Sequence, residues 1–174
     1  VAPLEDMYLR FGGEYAQGGS YPNSNNFNQN KPLLGTLFAK AGGDIGVSSS
    51  WQGGISFVRA GTGNRARTSV LSDTESFDFS GTTNLYIADF VYKWAPNGNA
   101  SQQNLKLQGE YLRRTESGSI NYGGDGNDYA ARLRQSGAYL QAVYQFMPRW
   151  RVGVRGDWLR SGNVDLGGLT SAEL

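Results

Sequence analysis

The chain reads as all-β: an antiparallel transmembrane β-barrel with about seven strands in view, part of a closed barrel of eight or more. Three observations lead there. Apolar and polar residues alternate through seven stretches, as they do where one face of a strand meets an apolar medium and the other meets water. From the first strand onward the connections run long, short, long, short, long, short, the order expected when long loops lie outside a bacterial cell and tight turns face the periplasm. No run approaches the roughly 18 apolar residues of a membrane helix, whereas a barrel strand needs only about 9 to 11.

Composition agrees. The chain has 174 residues, 39% of them hydrophobic, with 25 Gly and 10 Tyr against two Met, which favours strands and bends over a helical core. Sixteen basic residues against 15 acidic give a net charge of +1, so the concentrated positive field of a nucleic-acid binder is missing. Cys and His are both absent, which removes disulfides, thiolate chemistry, imidazole bases and the usual soft-metal ligand sets. No cofactor or metal is expected. The start, VAPLEDMY, is not a signal peptide; processing or fragmentation accounts for that in a secreted or membrane protein.

The first strand, about residues 7–15, sets Met7, Leu9, Phe11, Gly13 and Tyr15 against Tyr8, Arg10, Gly12 and Glu14. Residues 16–32 follow as a long loop rich in Asn, Gly and Ser, whose short side chains favour turns. The second strand, 33–45, groups Leu33, Leu37, Ala39, Ala41 and Ile45 opposite Thr36, Phe38, Lys40 and Asp44. GVSSS turns into the third, 51–59, where Trp51, Gly53, Ile55 and Phe57 alternate with Gln52, Gly54, Ser56 and Val58. Residues 60–82 have loop composition.

In the fourth strand, 84–94, both faces carry apolar groups; Asp89 and Lys93 mark the inner one, leaving Tyr86, Ala88, Phe90, Tyr92 and Trp94 outside. APNGNASQQ leads to the fifth, 105–114, with Leu105, Leu107, Gly109 and Tyr111 opposite Lys106, Gln108, Glu110 and Leu112. Residues 115–135 are predicted to be a third long loop. The sixth strand, 136–146, sets Ala138, Leu140, Ala142, Tyr144 and Phe146 against Tyr139, Gln141, Val143 and Gln145. A tight Met-Pro-Arg connection gives the seventh, with Val152, Val154 and Trp158 outside and Arg151, Arg155 and Asp157 inside; the tail from Ser161 has turn and loop composition.

Aromatic residues gather at both ends of these strands. Trp51, Trp94, Phe146 and Trp150 fall near the short turns, and Tyr15, Phe57, Tyr86, Tyr111 and Trp158 near the long loops, which suits two interfacial belts; sandwich-core packing is the other reading. Because closed bacterial barrels have an even strand number, seven implies a carboxy-proximal fragment, a lost amino-terminal strand, closure with another chain, or an uncounted strand in 61–82 or the tail. Residues 1–174 are accordingly one outer-membrane barrel domain or a carboxy-proximal piece of one.

GGDIG, SWQGGISFVR, ADFVYKWAPNGN, NLKLQGEYLRR and SGAYLQAVYQFMPRWRVGVRGDW resemble the carboxy-terminal portion of Gram-negative outer-membrane porin-like proteins, a resemblance that extends over about residues 7–159. Some of those proteins are described as zinc-regulated TonB-dependent receptors. The resemblance implies an outer-membrane barrel made with a signal peptide.

The expected function is a channel or transporter that passes small polar solutes through a charged lumen in the bacterial outer membrane. Lumen candidates are Arg10, Glu14, Lys40, Asp44, Asp89, Lys93, Lys106, Glu110, Arg151, Arg155 and Asp157, whose mixed signs favour neither anions nor cations; their other role is mutual compensation in a narrow, closed barrel. The alternative is a structural or ligand-binding barrel that presents long extracellular loops without an open pore. Its loop anchors are Tyr21, Phe27, Tyr122 and Tyr129, or these rings tether the loops to the barrel. Expected partners are outer-membrane lipid and lipopolysaccharide, small polar solutes, and missing strands or another outer-membrane protein. An enzyme is not expected: Glu75, Asp78, Asp125 and Asp128 are acids without a defined paired geometry, and GGDGNDYA lacks the full calcium-loop pattern.

Overall fold

A computed structural model describes residues 7–16, 34–68, 76–122 and 128–166. They form a single antiparallel sheet in chain order: β1 (Tyr8–Ala16), β2 (Leu34–Ile45), β3 (Ser49–Thr68), β4 (Ser76–Trp94), β5 (Asn104–Tyr122), β6 (Asp128–Met147) and β7 (Trp150–Leu166). The one helical element among the described residues is a 3-10 turn at Pro96–Gly98, and no helix among them is long and apolar enough to cross a membrane. The all-β expectation and the count of seven strands hold. Strands β1 and β7 are the two edges, each paired to one neighbour, so the sheet does not close on itself among the described residues.

Several strands run well past their predicted ends. Strand β3 continues to Thr68, β4 begins at Ser76, β5 reaches Tyr122 and β6 begins at Asp128. Most of the predicted loops at 60–82 and 115–135 is therefore paired backbone, and the tail is strand as far as Leu166. Pairs such as Thr82↔Ser117 and Ser80↔Ser119 explain why alternation faded there. A ladder of backbone hydrogen bonds needs no apolar contrast between its faces, and small hydroxylated residues supply none.

At the opposite end the connections are tight. Gly46 (φ 62°) and Arg149 (φ 71°) take left-handed conformations in the β2–β3 and β6–β7 turns. The β4–β5 turn folds onto its neighbour: the Ala95 amide donates to the Ser48 carbonyl at 2.8 Å and the Asn97 amide to Ser48 Oγ at 3.0 Å. The side-chain amide of buried Gln145 on β6 then donates to the Ser101 carbonyl at 2.9 Å, which ties that turn across β5.

The buried apolar core is small. Among the described residues Phe79, Ile120, Ala131 and Leu133 form its one cluster, near the long-connection end. Many large apolar side chains lie elsewhere and are bare: Phe11 is 78% exposed, Leu9 and Val154 71%, Leu140 67% and Ile55 66%. Burying each of these would contribute about 1.5–3 kcal/mol, a gain the sheet forgoes while they stay uncovered.

Candidate functional site: a charged face opposite an apolar one

Paired residues in a sheet share a face, so the register sorts side chains without reference to sequence pattern. One line of pairs crosses all seven strands: Arg10, Lys40, Gly54, Asp89, Glu110, Tyr139 and Asp157. The next line toward the short turns is Tyr8, Gly42, Gln52, Val91, Gln108, Gln141 and Arg155. Below it Asp44, Ser50, Lys93, Lys106 and Val143 align, followed by Asn104, Gln145 and Arg151. With Glu14 opposite Thr36 on the same side, all eleven sequence-predicted lumen residues share one face.

The other face is built as predicted from the outward rows. Leu9, Ala41, Gly53, Phe90, Gly109, Leu140 and Gly156 form its middle line. Toward the short turns lie Trp51 with Tyr92, then Trp94, Leu105, Tyr144 and Val152. Toward the other end come Tyr111 and Trp158 in one line and Phe57 with Tyr86 in the next, the latter rings 5.0 Å apart. Eight residues separate Trp94 from Tyr86, about 27 Å along a strand.

On the charged face, two ties skip a strand over a glycine. Lys40 Nζ on β2 reaches Asp89 Oδ1 on β4 at 3.5 Å, across Gly54 on β3. A methyl group at Gly54 would stand 2.5 Å from Asp89 Oδ2 and 3.0 Å from Lys40 Cγ. Tyr8 on β1 likewise donates its hydroxyl to Gln52 Oε1 on β3 at 3.1 Å, lying over Gly42. On β7, Arg155 grips Asp157 through Nε at 3.0 Å to both oxygens and a second nitrogen at 2.7 Å, with its guanidinium 4.0 Å from the Tyr139 ring centre. These side chains lie along the sheet rather than standing off it.

Charge is sorted by level. In the central zone Arg10, Lys40 and Arg155 balance Asp89, Glu110 and Asp157. At the short-turn end Lys93 stands directly opposite Lys106, and with Arg151, Asn104 and Ser50 they line a hollow of about 810 Å³ whose one carboxylate is Asp44. No described carboxylate forms an ion pair with Lys93, Lys106 or Arg151. Arg151 is held by Nε donation to Gln145 Oε1 at 2.8 Å.

A further polar group escaped the sequence reading. Near the long-connection end, Glu116 is 2% exposed and accepts from Arg114 at 2.7 Å and from the Thr83 hydroxyl at 2.8 Å, with Thr62 3.5 Å beyond. Continuing the inner alternation Glu110, Leu112, Arg114 by one step would have reached Glu116. The loop anchors fare differently. Tyr21 and Phe27 lie outside the described residues, while Tyr122 and Tyr129 are corrected to strand positions, paired with Phe77 and Ile120. Asp78 and Asp128 are also on strands, and Glu75 and Asp125 lie outside the described residues. Among the described residues no group of three or more acidic side chains is placed to hold a metal ion.

No protein-family model matches the chain, and no solved structure matches it. It is 30% identical over 181 residues to an uncharacterized protein of Aquifex aeolicus (strain VF5). The match takes in 97% of this chain and 36% of that relative, so the chain spans little more than a third of its relative's length.

Proposed function

We propose that the chain is part of a bacterial outer-membrane β-barrel that passes small polar solutes along its charged face. The single observation that carries this reading is the seven-strand sheet with charged lines on one side and bare apolar lines, bordered by aromatic rings, on the other. A sheet in hydrocarbon must satisfy its backbone polar groups internally, so the free edges of β1 and β7 are closed by further strands of the same protein or by a partner chain. The apolar face then meets lipid and the charged face meets water. The greater length of the Aquifex relative is compatible with additional strands.

The test is planar-bilayer conductance of the purified full-length protein. Stepwise channels are expected, and neutralising Lys93 and Lys106 to Gln is expected to lower the chloride-over-potassium permeability ratio measured under a KCl gradient. A protein that inserts fully into bilayers yet conducts nothing refutes the pore.

One observation favours a second reading, a barrel without an open pore. Ala60, Thr62, Phe79, Thr83, Glu116, Ile120, Ala131 and Leu133 on the inner face toward the long connections are all buried, so that end of the interior is packed. Zero conductance together with full insertion selects this alternative.

A further inference from the structure

The line that carries Phe57 and Tyr86 on β3 and β4 turns basic where it continues across β5–β7. Arg113, Ser136 and Arg160 are consecutive in one line of pairs, and Arg134 stands on the middle strand one line further toward the tip. All three arginines are exposed. From strand spacing their Cα atoms form a triangle with sides of about 8–10 Å, within which three guanidinium groups can reach one ligand. The register shift beside Arg134 puts the extra residue on β7, between Ser161 and Val164, opposite Arg134.

Nothing in the described sheet neutralises this triangle. None of the three forms an ion pair with a described carboxylate, and Asp165 stands in register with Arg132, one line beyond. Like charges on neighbouring positions of one sheet face repel, so the arrangement is most favourable with an anion between them. Below the triangle the same face carries Tyr111, Ala138 and Trp158, then Leu140, all suited to acyl chains. A ligand that fits both levels has phosphate at one end and hydrocarbon at the other.

We propose that Arg113, Arg134 and Arg160 bind the phosphates of a phosphorylated glycolipid of the outer leaflet, of the lipid A class. This rests on the outer-membrane reading above, which puts the long-connection end outside the cell, where that lipid resides. Guanidinium groups suit phosphate because their planar donors engage two oxygens at once. Three of them spread over about 10 Å match a headgroup with two phosphates better than a single phosphodiester.

The experiment uses the full-length protein in mild detergent, with bound lipid counted by native mass spectrometry. The parent, the triple variant R113Q/R134Q/R160Q and the control R149Q, at the opposite end of the sheet, are each titrated with bis-phosphorylated lipid A, dephosphorylated lipid A and phosphatidylglycerol. The parent is expected to retain the bis-phosphorylated form about tenfold better than the dephosphorylated one, and the triple variant to lose that preference while R149Q keeps it. Equal retention of the two lipid A forms by the parent overturns the proposal, even if the triple variant fails to fold. It is also overturned if the triple variant keeps the preference, or if phosphatidylglycerol binds the parent as well as lipid A does. Flotation with liposomes is run alongside: a protein that does not associate with them sinks the outer-membrane reading itself, whereas association without phosphate preference sinks this site alone.

Discussion

Gly54→Ala tests the idea that glycines on the charged face exist to let side chains bridge over a strand. The added methyl would stand 2.5 Å from Asp89 Oδ2, so the carboxylate has to retreat by about 1 Å to reach ordinary contact, stretching a Lys40–Asp89 bridge that already spans 3.5 Å. With side chains 35% and 20% exposed, that bridge contributes about 0.2–1 kcal/mol. Replacing a strand glycine by alanine returns about 0.5–1 kcal/mol of conformational entropy. The two effects offset, and overall stability is expected to change by less than about 1 kcal/mol. The informative quantity is the coupling between Lys40→Gln and Asp89→Asn, measured by guanidinium unfolding in lipid micelles and followed by fluorescence of the four tryptophans. That coupling is expected to be a few tenths to about 1 kcal/mol in the parent and close to zero in the Gly54→Ala background. An undiminished coupling in that background would refute the argument that the bridge depends on the gap.

Two further outcomes follow from sidedness and burial. Leu140→Arg, on the middle line of the apolar face, is expected to cost about 2–4 kcal/mol of stability in lipid, whereas Gln141→Arg, one residue on and facing the other way, costs less than about 1 kcal/mol; equal costs would contradict the assignment of faces. Glu116→Gln is expected to destabilise by about 1–3 kcal/mol, because it removes the acceptor charge from Arg114 in a buried setting, and combining it with Arg114→Gln is expected to recover part of the loss in the same unfolding assay.

Much of this architecture was legible in the residues because a two-residue period carries sidedness directly. Arg151, Arg155 and Asp157 against Val152, Val154 and Trp158 is enough to orient β7, and the same contrast orients the other strands. Legibility ended where the contrast did. The stretches continuing β3 to β6 toward the long connections are rich in Ser, Thr and Gly, and only cross-strand pairing makes them strands. The strand-skipping ties were hidden for a related reason: Lys40, Gly54 and Asp89 are far apart in the chain, and nothing in any one strand announces that a glycine on the next will leave room. The separation of charge into a balanced zone and a basic end also needs the register, since Lys93 and Lys106 sit on different strands either side of a turn.

The placement of irregularities bears on why the sheet has two faces of such different character. Register shifts occur between Thr62 and Arg65 on β3, between Leu133 and Gln135 on β6, and between Gln145 and Met147 on β6. All three fall beyond the apolar lines, two past Phe57 and Ser136 and one past Tyr144. Between those limits the six pairings run without a slip. A bulge leaves backbone groups unpaired, which costs little where water reaches them and several kcal/mol, by order of magnitude, where hydrocarbon surrounds them. A one-residue slip inside the band would also carry charged residues onto the apolar face. On the outer-membrane reading proposed above both penalties act over the same stretch of strand, and an apolar slab roughly 20–25 Å thick would account together for the uninterrupted ladder, the bare apolar side chains and the flanking aromatic rings.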